Sequence, residues 1–279
     1  MLVIRDPREM RHFADRSSLV LVPTMGALHA GHAELISRAG HAADRNGSLV
    51  AVSIFVNPLQ FGDDADYENY PNTFDADLDL CRRQGVSVVY APDTRRLYPD
   101  GFSTKVSVSG VSEHWEGESR SGHFDGVATV VTKLFAACRP SVAVFGRKDL
   151  QQVAVVRRLV LDLDLGVEIE VVPTVRDPDG LALSSRNVRL TAEGRRRALV
   201  LPRALIEGLG VARREGVPAA RRRMAGRIRD IDGVSLDYVD FVDDSTMESV
   251  ESLAPGVSAI GAVVVDGVRL IDNHPFVTD

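Results

Sequence analysis

Five short apolar runs rich in Val, at residues 19–22, 49–56, 86–90, 142–145 and 167–172, are separated by stretches whose apolar residues recur at spacings of three and four. Runs this short, bounded by turn residues, suit strands buried on both faces, and the intervening period suits helices over 32–43, 74–84, 127–137 and 150–163. The alternation leaves few folds open. Parallel strands need long crossovers and helices supply them, so residues 1–175 are read as an α/β domain built on a parallel sheet. From 176 to 279 the pattern changes: helical, Arg-rich stretches at 191–214 and 219–230 precede strand-like 236–242 and 262–270. That part is read as a smaller α+β C-terminal domain serving as a lid, with a hinge expected near residues 175–180.

Composition narrows the partners. Asp and Glu number 39 against 33 Lys and Arg, so the net charge is −6 and the overall field repels polyanions. Nucleic acid is therefore not expected as a partner, and any anionic substrate must be met by local positive potential. The Arg runs at 195–197 and 221–223 read as solvated helix faces. The two cysteines, Cys81 and Cys138, read as buried free thiols, which places the chain in a reducing cytoplasm. No apolar run approaches the roughly 18 residues of a membrane span, so no membrane association is expected.

Three segments carry chemistry, each at the end of a predicted strand or in a loop of small polar residues. In Pro23-Thr24-Met25-Gly26-Ala27-Leu28-His29-Ala30-Gly31-His32 a strand gives way to a helix starting near His29, so two imidazoles share the first turn. Gly26 permits close backbone approach, and the helix start offers N–H groups to phosphate. A zinc pair is the other reading of two such histidines, but no Glu follows His29 and no third ligand lies nearby. In Phe145-Gly146-Arg147-Lys148-Asp149-Leu150-Gln151-Gln152, Lys148 can meet a phosphate, while Asp149 can accept from a ribose hydroxyl or cap the helix. In Asp179-Gly180-Leu181-Ala182-Leu183-Ser184-Ser185-Arg186-Asn187, two hydroxyls and a fixed cation can meet triphosphate oxygens. Ligands in open parallel sheets bind outside the carboxyl ends of the strands, which is where the first two segments fall.

With Phe55-Val56-Asn57-Pro58-Leu59-Gln60-Phe61-Gly62 and Gly122-His123-Phe124-Asp125-Gly126-Val127-Ala128-Thr129-Val130-Val131, these segments make five motifs in one order. In wording and spacing they resemble the pantothenate synthetase family, within the adenylate-forming nucleotidyltransferases related to class I aminoacyl-tRNA synthetases. The resemblance is dense over 1–195 and thins to 238–242 and 269–273. It implies a Rossmann-like sheet and an ATP-dependent ligation of pantoate and β-alanine through a pantoyl-adenylate, releasing AMP and pyrophosphate. It also implies Mg²⁺ accompanying ATP, and a homodimer.

By the same resemblance, ATP would be lined by Met25, Gly26, Ala27, Leu28, His29, Ala30, Gly31 and His32, by Gly146, Arg147, Lys148 and Asp149, and by Val175, Leu183, Ser184, Ser185 and Arg186. Gln60 and Gln152 would hold pantoate and place it for β-alanine; amides can satisfy the hydroxyls and carboxylate of a small acid without charge repulsion. His32, His29, Lys148 and Arg186 would carry catalysis by stabilising phosphate charge, with His32 the better proton donor. Asp77 would assist Mg²⁺, although it reads equally as an acidic residue of a helix first turn with Asp75. Three positions depart from the family pattern: Arg147 replaces a usual Glu, Ala76 a frequent carboxylate, and Ser121 a usual Pro. Arg147 is expected to be an exposed charge reversal or an aid to triphosphate binding. The rival readings are a related adenylating ligase acting on another small hydroxy acid or amine, and a silent nucleotide-binding protein. Retention of Gln60 and Gln152 speaks against the first, and of both histidines, Lys148 and Arg186 against the second.

Overall fold

A computed structural model describes residues 1–62 and 67–278. By internal contacts the chain divides into two compact units, Met1–Gly146 with Val155–Pro173, and Arg147–Ala154 with Thr174–Asp279.

The first unit holds a parallel sheet of β1 (Leu2–Ile4), β2 (Leu19–Thr24), β3 (Leu49–Ile54), β4 (Val88–Tyr90), β5 (Val142–Gly146) and β6 (Glu168–Val172). Their order is β1-β4-β3-β2-β5-β6. The chain runs outward from β2 through β3, then returns to place β5 on the other side of β2 before moving on to β6. The winding therefore reverses between the carboxyl ends of β2 and β5, which is where such sheets open a crevice for ligands. The longer described helices of the unit are α1 (Pro7–Ala14), α2 (Ala30–Asn46), α3 (Phe74–Arg83) and α4 (His123–Cys138); α5 (Leu150–Asp162) begins in the second unit and ends in the first.

Strand burial follows the period of two. Val20, Val22, Val50, Val52 and Val144 face one side, where Ile36, Ala39 and Ala43 of α2 and Leu78 and Cys81 of α3 close over them. Leu19 and Leu21, fully buried as well, alternate onto the other side. A strand buried on both faces has little room for polar residues, which is why the runs of β2, β3 and β5 read as nearly continuously apolar. Each such aliphatic side chain contributes about 1.5–3 kcal/mol by leaving water. Both cysteines are buried free thiols, and burial, with the charge of Asp77 second, pushes Cys81 up to about 11.

β1 and α1 do not figure in the sequence reading, yet Asp6-Pro7 is a helix start. Asp6 accepts from the Arg8 amide at 2.8 Å, and Pro7 occupies the position where no N–H is needed.

The second unit packs α6 (Ala192–Ala198), α7 (Val200–Glu215) and α8 (Val217–Arg229) with an antiparallel sheet, β7 (Val234–Asp243), β8 (Val257–Val265) and β9 (Val268–Pro275), in the order β7-β8-β9. Leu201, Leu205, Met224, Ile228, Phe241 and Val263 form its core. Two predicted elements are split here. Residues 191–214 make two helices that meet at Leu199, and residues 262–270 make a hairpin rather than one strand. Asp266 and Gly267 both take positive φ, 52° and 73°, as a two-residue hairpin turn requires. No described helix is long and apolar enough to cross a membrane. The Arg runs are ion-paired: Arg195 with Asp177 and Asp179, Arg221 with Asp240 and Glu251, and Arg223 with Glu207.

Candidate functional site

The carboxyl end of β2 turns through Met25-Gly26-Ala27-Leu28 into α2. Gly26 and Ala27 both lie in the left-handed region, with φ of 83° and 51°. A Cβ on Gly26 would stand 3.0 Å from Asp77 Oδ2 and 3.1 Å from Ile54 Cγ2, so the position needs glycine for space as well as for φ. Asp77, at the start of α3 and 2% exposed, holds this turn. Its Oδ2 accepts from the Ala27 amide at 2.9 Å, and its Oδ1 from the Leu28 amide at 2.8 Å and the Thr73 hydroxyl at 3.1 Å. Both oxygens of Asp77 therefore serve the turn, a structural task that the sequence reading did not give it. Among the described residues no group of three or more His, Cys, Asp and Glu side chains is arranged to hold a metal ion. These residues offer no Mg²⁺ cage of their own.

His29 and His32 cap α2 reciprocally, imidazoles standing where Ser and Glu usually do. The Gly31 amide donates to His29 Nδ1 at 3.1 Å, and the His29 amide to His32 Nδ1 at 3.2 Å. An Nδ1 that accepts leaves the proton of a neutral ring on Nε2, so each imidazole is set as a donor through Nε2. The ring centroids are 4.1 Å apart. The backbone amides expected to meet phosphate are largely engaged already, those of Ala27 and Leu28 by Asp77 and those of His29 and Gly31 by the rings.

Beyond β3, Asn57–Gln60 form a single tight turn. Buried Asn57 donates to Gln60 Oε1 and to the Gly126 carbonyl, each at 3.1 Å, and accepts from the Tyr98 hydroxyl at 2.8 Å. Burial raises the Tyr98 pKa, which keeps that hydroxyl protonated and donating. The Gln60 carbonyl accepts from His123 Nδ1 at 2.8 Å and from Arg120 at 3.3 Å. Gln60 is 8% exposed, and its Nε2 lies 3.0 Å from Met25 Sδ. The motifs at residues 23–32 and 55–62 thus meet through Met25 and Gln60. Asn57, Tyr98, His123 and Gly126 carry this arrangement and were given no role from sequence. For Asn57, His123 and Gly126 the signal was their place inside two of the quoted motifs.

In the second unit, Arg147-Lys148-Asp149 make one 3-10 turn before α5. Arg147 is not exposed: its Nη2 donates to Asp244 Oδ2 at 2.7 Å and Ser258 Oγ at 2.6 Å, which corrects the expectation of an exposed charge reversal. Lys148 is half-buried, with Nζ 3.5 Å from Asp149 Oδ1. Gln152 is half-buried on α5. The loop after β6 folds back on itself: the Leu183 amide donates to the Val175 carbonyl at 3.0 Å, and the Gly180 amide to the Asp177 carbonyl at 2.8 Å. Arg176 ties this hairpin to buried Asp272 by a two-pronged pair at 2.7 and 2.8 Å, and Arg195 holds Asp177 and Asp179. The Ser184 hydroxyl accepts from the Arg186 amide at 3.3 Å, starting a short 3-10 turn over Ser185–Arg189.

A family model described as pantoate-beta-alanine ligase matches residues 2–275. A pantothenate synthetase of Rhizorhabdus wittichii is 49% identical over 256 residues, 91% of this chain and 89% of that protein. A pantothenate synthetase structure from Thermus thermophilus superposes with a TM-score of 0.92 at 43% identity, covering 99% of each chain. A pantoate-beta-alanine ligase structure from Francisella tularensis, described as complexed with beta-gamma ATP and beta-alanine, gives a TM-score of 0.78 at 31% identity over 99% of this chain and 97% of that one.

Proposed function

The chain belongs to the pantoate-beta-alanine ligase family, and from that premise we propose that it joins pantoate to β-alanine through a pantoyl-adenylate, releasing AMP and pyrophosphate. The pantoate carboxylate attacks the α-phosphorus of ATP and pyrophosphate leaves; the free amine of β-alanine then attacks the activated carbonyl and AMP leaves. Such chemistry asks a protein for positioning and charge stabilisation rather than for a covalent nucleophile.

His29 and His32 donate through Nε2 to phosphate oxygens as charge builds, with His32 the proton donor. Lys148 and Arg186 neutralise phosphate oxygens, Ser184 and Ser185 add hydroxyl donors, and Val175 and Leu183 line the nucleotide. Gln60 and Gln152 hold pantoate through their amides. Mg²⁺ would accompany ATP and neutralise charge on its phosphates; no cluster of three or more ligand side chains among the described residues would hold it alone. A homodimer belongs to the same proposal and is checked by sedimentation equilibrium.

The observation that carries the reading is the reciprocal His29–His32 cap at the carboxyl end of β2, which sets two ring N–H groups as donors beside the sheet's reversal point. The test is AMP and pyrophosphate formation from ATP and Mg²⁺ with pantoate, with and without β-alanine. Turnover to AMP needing both acid and amine, and reduced about 10²–10³-fold in His32→Ala, is expected. ATP binding without either product on these substrates would leave the fold standing and overturn the substrate assignment.

A further inference from the structure

We propose that Asn273, near the end of β9, is a positioning residue for Lys148. It is 3% exposed, and its Nδ2 donates to two successive main-chain carbonyls, Arg147 O at 2.9 Å and Lys148 O at 3.0 Å. Those carbonyls belong to a single 3-10 turn, a short element whose own hydrogen bonds are poor and which depends on outside support. The contact spans 125 positions of sequence, so it fixes the Lys148 backbone to the sheet of the same unit rather than to its own neighbours.

Asn273 is itself fixed. Its amide lies on the residue after Asp272, and Arg176, paired through both nitrogens to Asp272, also donates to the Asn273 carbonyl at 3.1 Å. A second pin holds the turn from the other side, where Arg147 reaches Asp244 and Ser258. The Asn273 amide is oriented without ambiguity, because the flipped amide would press its oxygen against two carbonyls. In the observed orientation Oδ1 is buried with no protein partner. A residue kept only to stabilise the sheet gains nothing from that orphan acceptor, so the part the amide plays is its two donors on the Lys148 turn.

The proposal rests on the reading of Lys148 as a phosphate contact. A lysine on a long stem delivers its charge only where its backbone is held, and misplacement of about 1 Å at such a contact costs on the order of 10²-fold in rate. The test is a double-mutant cycle on kcat/KM for ATP, with Asn273→Ala, Lys148→Ala and both together. Asn273→Ala is expected to lower kcat/KM for ATP about tenfold in the intact protein, with KM for β-alanine unchanged, and to change it by less than about twofold once Lys148 is gone.

An equal loss in both backgrounds would overturn the proposal, since Asn273 would then act on the fold at large. If Lys148→Ala alone leaves kcat/KM for ATP unchanged, the assignment of Lys148 fails, and the proposal with it, by a different signature. Should Asn273→Ala lose its circular-dichroism signal, Asp244→Asn, which loosens the second pin and leaves Asn273 in place, goes through the same cycle. Coupling to Lys148 supports the positioning role and additivity overturns it.

Discussion

Asp77 shows how the structural task of a single side chain can be hidden by its company. Its place in an acidic first turn suits a metal helper, but its carboxylate reaches back 50 positions to accept from two consecutive amides of the Gly26 turn. A buried carboxylate with three donors is a strong local organiser, each charge-assisted bond contributing about 1.5–3 kcal/mol. Asp77→Asn sets an NH₂ group against one of those amides. The variant is expected to lose about 2 kcal/mol in urea unfolding and at least tenfold in kcat/KM for ATP. The Mg²⁺ concentration giving half-maximal rate should not move. A rise of tenfold or more in that midpoint would give Asp77 the metal role as well. The histidines were legible because their relation is local, i and i+3 in one helical turn. Asp77 and Asn273 were not, because a hydrogen bond across 50 or 125 positions leaves no periodic trace in a single sequence.

The same division holds for elements. The central strands of the parallel sheet were legible because burial on both faces leaves them almost wholly apolar, and the helices because their apolar stripe repeats. What was missed was punctuation: the Asp6-Pro7 start of α1 and the Asp266-Gly267 turn that divides β8 from β9. Both carried a readable signal, masked in the second case by Val and Leu on either side of the turn. Packing between elements leaves less trace still. α4 comes so close to the Asn57–Gln60 turn that a Cβ on Gly126 would lie 2.2 Å from the Leu59 carbonyl oxygen and 2.6 Å from the Gln60 amide. The obstacle is main chain and cannot rotate away. Gly126→Ala is expected to push the turn off the helix, lowering stability by about 3 kcal/mol and raising KM for pantoate at least tenfold, with KM for ATP less affected. Thermal unfolding and substrate titrations read the two effects separately. Unchanged KM for pantoate with a lowered Tm would mean that the turn does not hold the acid.

At the scale of the whole molecule the puzzle is electrostatic: a chain of net charge −6 is proposed to take two anions, a nucleoside triphosphate and a hydroxy acid. The Arg runs do not resolve it, since Arg195, Arg196, Arg197, Arg221 and Arg223 are paired with Asp and Glu within the second unit. Distance decides between the remaining contributions. A lysine in contact with a phosphate is worth roughly 4 kcal/mol at 4 Å for an effective dielectric of about 20, before desolvation is subtracted. Surface carboxylates beyond the Debye length, about 8 Å at physiological salt, are screened almost to nothing. Local cations should therefore win, and kcat/KM for ATP should fall as salt rises from about 50 to about 300 mM. If the net field dominated, screening would instead relieve repulsion and the rate constant would rise. Lys148→Met separates the two: removing the contact cation should lower kcat/KM and flatten its salt dependence together. A low kcat/KM with an undiminished slope would place the salt-sensitive attraction on other groups, with Arg186 the next to be replaced.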